Sequence, residues 1–236
     1  MYRWAPDGTF EKLRSANQLA GGDTLRYRYR NVRLGRLHAV DLTNPLRPVL
    51  FYRDAQTVVW LHRNLTELRQ LNLLDVGLAA VDAVAYAPSE GLWVYATDRQ
   101  QLLQLDRDAA IRYEGPELSQ TFGQPIHAAQ LVASPQQVAL ATTDGRLLLF
   151  GPFGGYRTQV LRPARNLSAD GDRLVFHEAG DWYYYSGRGL PIERLRLDAG
   201  EERLLAYRGG RALFTDATGA NFQVRDVSVG DEASGD

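Results

Sequence analysis

The chain has 236 residues, 44% of them hydrophobic and 23% charged, with a formal net charge of −1. That composition suits one core-forming globular domain, excludes a disordered or fibrous chain, and argues against a dedicated nucleic-acid binder, which carries a wide basic field. There is no cysteine, which excludes disulfides, thiolate catalysis and thiolate-held metals, and no apolar stretch approaches the ~18 residues of a membrane span.

The first segment, "YRWAPDGTFEKLR" from Tyr2, aligns with "LLFGPFGGYRTQV" from Leu148. It reads as the third and fourth strands of a repeat unit whose first two strands are missing. The expectation follows that the native product begins upstream, with those strands and an export signal, because "MYRWAPDGTF" lacks the basic start and apolar run of a signal peptide. Next, "LRYRYRNVRLGR" puts Arg26, Arg28 and Arg30 on one face of a strand and Tyr27 and Tyr29 on the other. The three arginines are candidate binding residues, gripping an anionic polymer by charge and stacking. The plainer reading is an outer strand whose charges deter edge-to-edge pairing. Near-neutral net charge favours the second.

From Val49 a rhythm sets in. "VLFYRDAQTVVWLHRNLTELRQL" is followed by units beginning "LWVYATDRQQLLQLD", "VALATTDGRLLLF", "RLVFHEAGDWYYYS" and "RALFTDATGANFQV". Each is an apolar strand, a polar turn, a second strand, a second turn and a more polar third strand. The first-turn aspartates Asp54, Asp98, Asp144, Asp181 and Asp216 recur at intervals of 44, 46, 37 and 35. A further strand precedes each unit, from HAVDL to ERLLAY. Four short strands in a period of this size indicate a β-propeller. Runs such as VLFY, WVYA and VALA suit strands covered on both faces, whereas TELRQLNL alternates as a wetter rim strand does. The expected architecture is all-β: a single propeller over residues 1–229, six blades in the complete protein with five as the alternative, and an incomplete first blade. The segment "SVGDEASGD" ends in a flexible acidic tail over 230–236.

The strands expected innermost carry Asp41, Asp82, His127 and Asn166. Some propeller hydrolases, of the calcium-dependent lactonase type, hold one hard cation in the channel with such oxygen ligands, and a histidine can serve as base. The competing role is tying off backbone groups at strand starts. In "DWYYYS", Trp182 and Tyr184 share one face; they are either an exposed binding platform or packing between blades, and alignment with the apolar LLLF strand favours packing. His38, His62 and His177 are isolated, with no H-E-x-x-H spacing, and no nucleophile elbow or P-loop occurs.

The stretches "YRYRNVRLGRLHAVDLTNPLRPVLFYRD" from Tyr27 and "LWVYATDRQQLLQLD" from Leu92 resemble a family of uncharacterised bacterial propeller-like proteins. Its signature is D-[VL]-T-N-P-[LF] followed by an apolar strand ending in Tyr. The resemblance implies a propeller fold, an export signal and a periplasmic or envelope location, and assigns no activity. The resulting expectation is a non-enzymatic interaction or scaffold module of the cell envelope, without cofactor, presenting its loops to a protein or glycan partner. It binds no nucleic acid, and its oligomeric state is left open. The alternative is a calcium-type metal-dependent hydrolase. A weaker third reading has a partner supply the missing strands by strand addition.

Overall fold

A computed structural model describes residues 2–4, 9–13, 26–87, 91–170, 173–179, 181–186, 193–194, 203–208, 211–215 and 222–226. The chain is all-β and arranged as a β-propeller. It packs as two compact units, Met1–Ile126 and His127–Asp236. The turn at Asp216 and the acidic segment 230–236 lie outside the described residues.

Among the described residues, the first unit holds three antiparallel sheets. Strands β1 (Tyr2–Trp4), β2 (Phe10–Leu13) and β3 (Arg26–Tyr29) form the first. The second is β4 (Ala39–Asp41), β5 (Val49–Tyr52), β6 (Thr57–Leu61) and β7 (Glu67–Asn72). The third is β8 (Val81–Tyr86), β9 (Leu92–Ala96), β10 (Gln101–Leu105) and β11 (Ile111–Glu114). Each strand pairs with the next in sequence, and β8 lies beside β4 and β5. A five-residue helix, α1 (Leu118–Phe122), leads out and stops at Gly123, whose φ of 68° no helix continues.

The second unit repeats the plan. Its sheets are β12 (Ala128–Ala133), β13 (Val138–Thr142), β14 (Arg146–Phe150) and β15 (Tyr156–Leu161); then β16 (Arg165–Asp170), β17 (Arg173–Glu178), β18 (Asp181–Ser186) and β19 (Glu193–Arg194); then β20 (Arg203–Arg208), β21 (Arg211–Thr215) and β22 (Phe222–Asp226). Strand β16 lies beside β12 on one side and β20 on the other. Among the described residues no helix is long and apolar enough to cross a membrane.

Tyr2–Leu13 is not the outer half of its sheet, as the alignment with Leu148–Val160 had it. Phe10 faces Tyr29 and Lys12 faces Tyr27, so β2 is internal and β3 is the edge strand. The alignment followed apolar content, and the RYRY strand has no apolar run to match.

Strand β5 shows why the inner ribbons read as unbroken apolar runs. All four side chains of VLFY are at most 1% exposed. Val49 and Phe51 pack with Leu92, Val94 and Leu103 of the third sheet. Leu50 and Tyr52, pointing the other way, pack with Phe10, Val59 and Leu61. Successive side chains alternate faces, and both faces are covered, so no polar residue has a place. Each such side chain contributes about 1.5–3 kcal/mol of burial.

Glutamines clasp single backbone residues distant in sequence, two of them in a neighbouring sheet. Gln56, in the β5–β6 turn with φ 45°, accepts the Val81 N–H through Oε1 at 2.7 Å and donates to the Val81 carbonyl at 3.1 Å. Gln100, in the β9–β10 turn with φ 55°, accepts the Ile126 N–H and donates to the Ile126 carbonyl. In the second unit Gln130 does the same to Leu167, at 2.8 and 3.0 Å. A primary amide presents one acceptor and two donors, which matches the N–H and C=O of a single backbone residue.

Candidate functional site

The antiparallel meander sorts its loops. The β4–β5 and β6–β7 connections emerge at one end of the second sheet, and the β10–β11 connection at the same end of the third. These three loops, with the neighbouring faces of β6 and β7, border an open groove of about 730 Å3.

The first wall is the segment DLTNPLRP. Asp41 Oδ1 accepts the Thr43 N–H at 2.7 Å, and Asn44 Oδ1 accepts the Leu46 N–H at 3.1 Å. The Asn44 carbonyl then receives the Arg47 N–H at 2.9 Å. These are Asx turns, in which a short side chain stands in for a backbone turn. They place Leu46, 60% exposed, and Arg47 on the groove. The segment from Asp41 to Leu46 therefore has a local physical role: its Asx turns shape this wall.

The second wall is the β6–β7 turn. Asn64 Oδ1 accepts the Thr66 N–H and hydroxyl at 3.2 and 2.8 Å and lies 3.0 Å from His62 Nδ1. Leu65, at φ 62°, is buried beneath, so His62 and Arg63 face the groove. The third wall is the β10–β11 turn, where Asp106 Oδ1 accepts the Asp108 and Ala110 N–H groups at 2.8 and 3.0 Å. Desolvation raises the Asp106 carboxyl, but those N–H groups and the Arg112 guanidinium at 2.6 Å outweigh it and hold the group below its ordinary range. Arg107 and Asp108 complete this wall.

The floor is Trp60, 9% exposed, opposite Arg69 across β6 and β7. The Arg69 guanidinium lies 5.0 Å from the Trp60 ring and donates to the Arg107 carbonyl. Arg69 is thus positioned from both sides. Leu68, 52% exposed, flanks it. Four arginines (Arg47, Arg63, Arg69 and Arg107) face this volume against one lining carboxylate, Asp108. The arrangement offers charge-assisted hydrogen bonds to an anion beside apolar rim surface.

The residues singled out from the sequence have other surroundings. Arg26, Arg28 and Arg30 are exposed, while Tyr27 and Tyr29 turn inward against the Phe10 cluster. Arg28 pairs with Glu11 at 3.1 Å, and burial, with the hydrogen bond Tyr29 donates to Glu67 at 2.7 Å, pushes the Tyr29 phenol upward. Strand β3 is an edge strand, as the plainer reading had it.

Asp41 and Asp82 belong to one unit, His127 and Asn166 to the other. Both Asp41 oxygens already accept backbone N–H groups, from Thr43 and, at 2.7 Å, from Tyr86. The Asp82 carbonyl accepts Arg53 Nη2 at 2.7 Å. His127 is exposed, and its carbonyl receives the Thr143 N–H. Asn166, at φ 49°, forms the bulge between Arg165 and Ser168, a conformation Asn adopts more readily than most residues. Among the described residues no three His, Asp or Glu side chains gather as a metal site would require.

Trp182 is 7% exposed and tilts against His177; it is a packing residue rather than a platform. Tyr184 is half-buried beneath the Arg173 guanidinium at 5.7 Å. Of the groove residues, His62 stands in the sequence as an isolated histidine, and Arg63 and Arg107 carry a signal of their own. LHRN and LDRD put Arg63 and Arg107 at the same position after the third strand of consecutive blades.

No protein-family model and no curated protein matches the chain. Solved structures are similar in fold. The Pan2 WD40 domain of Neurospora crassa is 12% identical, with a TM-score of 0.58 over 93% of this chain and 72% of that one. Virginiamycin B lyase of Staphylococcus aureus is 12% identical, with a TM-score of 0.54 over 89% of this chain and 71% of that one. PorZ of Porphyromonas gingivalis, a bacterial surface component of the type-IX secretion system, is 12% identical, with a TM-score of 0.51 over 94% of this chain and 31% of that one. A WD40 domain, a lyase and a secretion component share this fold, so function has to be argued from the site.

Proposed function

We propose that the protein is a non-enzymatic β-propeller interaction module of the bacterial cell envelope, docking a partner in the groove between its second and third sheets. The observation that carries the proposal is the groove itself: loops of two blades converge on a volume of about 730 Å3 with cationic walls, an aromatic floor and exposed leucines at the rim. Large apolar side chains exposed beside arginines are the composition of a binding surface rather than of an inert one. Each loop is anchored at one end by a well-buried strand, β5, β6 or β10, so the surface is presented rigidly and little order has to be gained on binding. The envelope location rests on the D-[VL]-T-N-P-[LF] resemblance, and the surface role of PorZ, on the same fold, is compatible with it.

The test is site-specific photo-crosslinking in the producing bacterium. A photoreactive residue at Leu46 or Leu68 is expected to yield one defined adduct in the envelope fraction. The same residue at Leu74, exposed at the opposite end of β7, is expected to yield none. Adducts equal at all three positions, or confined to cytoplasmic proteins, would refute the reading.

A further inference from the structure

We infer that the groove takes an acidic linear peptide, a segment that combines carboxylates with an apolar side chain, from a partner protein. The inference rests on the interaction-module reading and names its occupant. Charge comes first. Arg47, Arg63, Arg69 and Arg107 meet a single carboxylate on the groove, Asp108. The planar guanidinium fork matches a carboxylate in two parallel hydrogen bonds, which an ammonium cannot do. Arg69 is already pinned by the Trp60 ring and the Arg107 carbonyl, so it loses little freedom on binding.

The apolar surface decides between kinds of anion. Leu46 and Leu68 are 60% and 52% exposed. They reward burial of an apolar side chain and gain nothing from sugar hydroxyls, which would lose water against them. Single-stranded nucleic acid is held by stacking its bases on open aromatic faces as well as by charge. The aromatic ring of the floor, Trp60, is covered by the Arg69 guanidinium. A peptide supplies both carboxylates and apolar groups on one backbone. The volume falls within the range of about 300–1,000 Å3 typical of small-ligand sites, so it suits a short segment rather than the face of a folded domain.

The experiment is fluorescence anisotropy on the full chain with labelled synthetic peptides. One probe alternates Glu and Leu; a second replaces every Glu by Gln; oligogalacturonate and oligothymidylate are run as competitors. The acidic probe is expected to bind, more weakly as salt rises, and at least about tenfold more tightly than the Gln probe. The doubly substituted R63E/R107E protein is expected to lose at least about tenfold, or about 1.4 kcal/mol. Its melting temperature should be unchanged, since both side chains are exposed; R69A provides a charge-removing variant should the double reversal fail to fold. Equal binding of the Gln probe, no loss in either variant, no binding of any probe, or binding of the oligogalacturonate or oligothymidylate in place of the peptide would each overturn the inference. If the acidic probe fails while Leu46 and Leu68 still cross-link to a partner, the interaction-module reading survives and only the occupant is wrong.

Discussion

Substituting Gln56 by Ala tests how the second sheet is held to the third, and so what keeps the groove walls in place. Gln56 accepts the Val81 N–H at 2.7 Å and donates to the Val81 and Arg53 carbonyls at 3.1 and 2.7 Å. Val81 is buried, so its N–H has no ready replacement from solvent. A buried donor left without a partner costs about 1–3 kcal/mol, whereas the carbonyls lose only net hydrogen-bond strength. The backbone change is neutral, because neither Gln nor Ala favours the φ of 45°. The expected loss is about 2 kcal/mol, which in a domain of this size lowers the melting temperature by about 4–8 °C. Thermal unfolding followed by circular dichroism, with a urea titration for the free energy, reads this directly. Gln70→Ala, on the exposed side of β7, is the control. If Gln56→Ala melts no earlier than Gln70→Ala, the clasp is not holding the sheets and the reasoning fails.

Gly91→Ala should be among the most damaging single substitutions, because the added Cβ would fall 1.9 Å from the Leu105 carbonyl oxygen; soluble yield and melting temperature well below wild type are expected, and a wild-type melt would refute the contact. Trp60→Ala, which empties the groove floor, should cost about 3–5 kcal/mol, whereas Arg69→Ala should cost about 1 kcal/mol or less; comparable losses in denaturant titrations would mean that the ring is not packed as described. Asp41→Asn replaces one of two accepting oxygens with a donor facing an N–H, and should cost about 1–3 kcal/mol; calcium should leave the wild-type melting temperature where it is, and a rise would restore the inner-strand metal reading. Desolvation, together with the charges of Arg53 and Arg36, holds the His38 imidazole below its ordinary 6.5. The folded state then refuses a proton that the unfolded chain takes up. The His38 contribution is therefore complete above pH 6.5 and is lost as pH falls below it, through the folded-state value. The fall in melting temperature between about pH 7.5 and 5.5 should be smaller in His38→Phe than in wild type; equal falls would refute the assignment.

The propeller was legible because burial writes itself into short runs. VLFY at Val49–Tyr52 and LWVYA at Leu92–Ala96 are covered on both faces, which makes so brief a strand apolar throughout, and their return in a period of four short strands is what distinguishes a propeller. The edge role of β3 was legible too, since alternating Arg and Tyr on a half-exposed strand is a local pattern. The order of the first sheet was misjudged where the pattern carried no apolar run to count. The inner-strand polar residues looked like a site because their types suit a metal. Asp41 instead closes its own turn through the Thr43 N–H and ties β4 to β8 through the Tyr86 N–H, and nothing in its neighbouring residues distinguishes a ligand from a tie.

By itself the sequence determined the repeat, the strand interiors and the turn chemistry, because periodicity, apolar runs and Asx turns act between residues a few positions apart. Only the tertiary structure decided that Gln56 reaches Val81, that Arg69 lies over Trp60 beneath the Arg107 carbonyl, and that loops from two blades share one cationic groove. Apart from the Trp60–Arg69 pair of one hairpin, those contacts join positions some 25 to 60 residues apart, and their geometry comes from how twisted sheets stack, which no local pattern encodes.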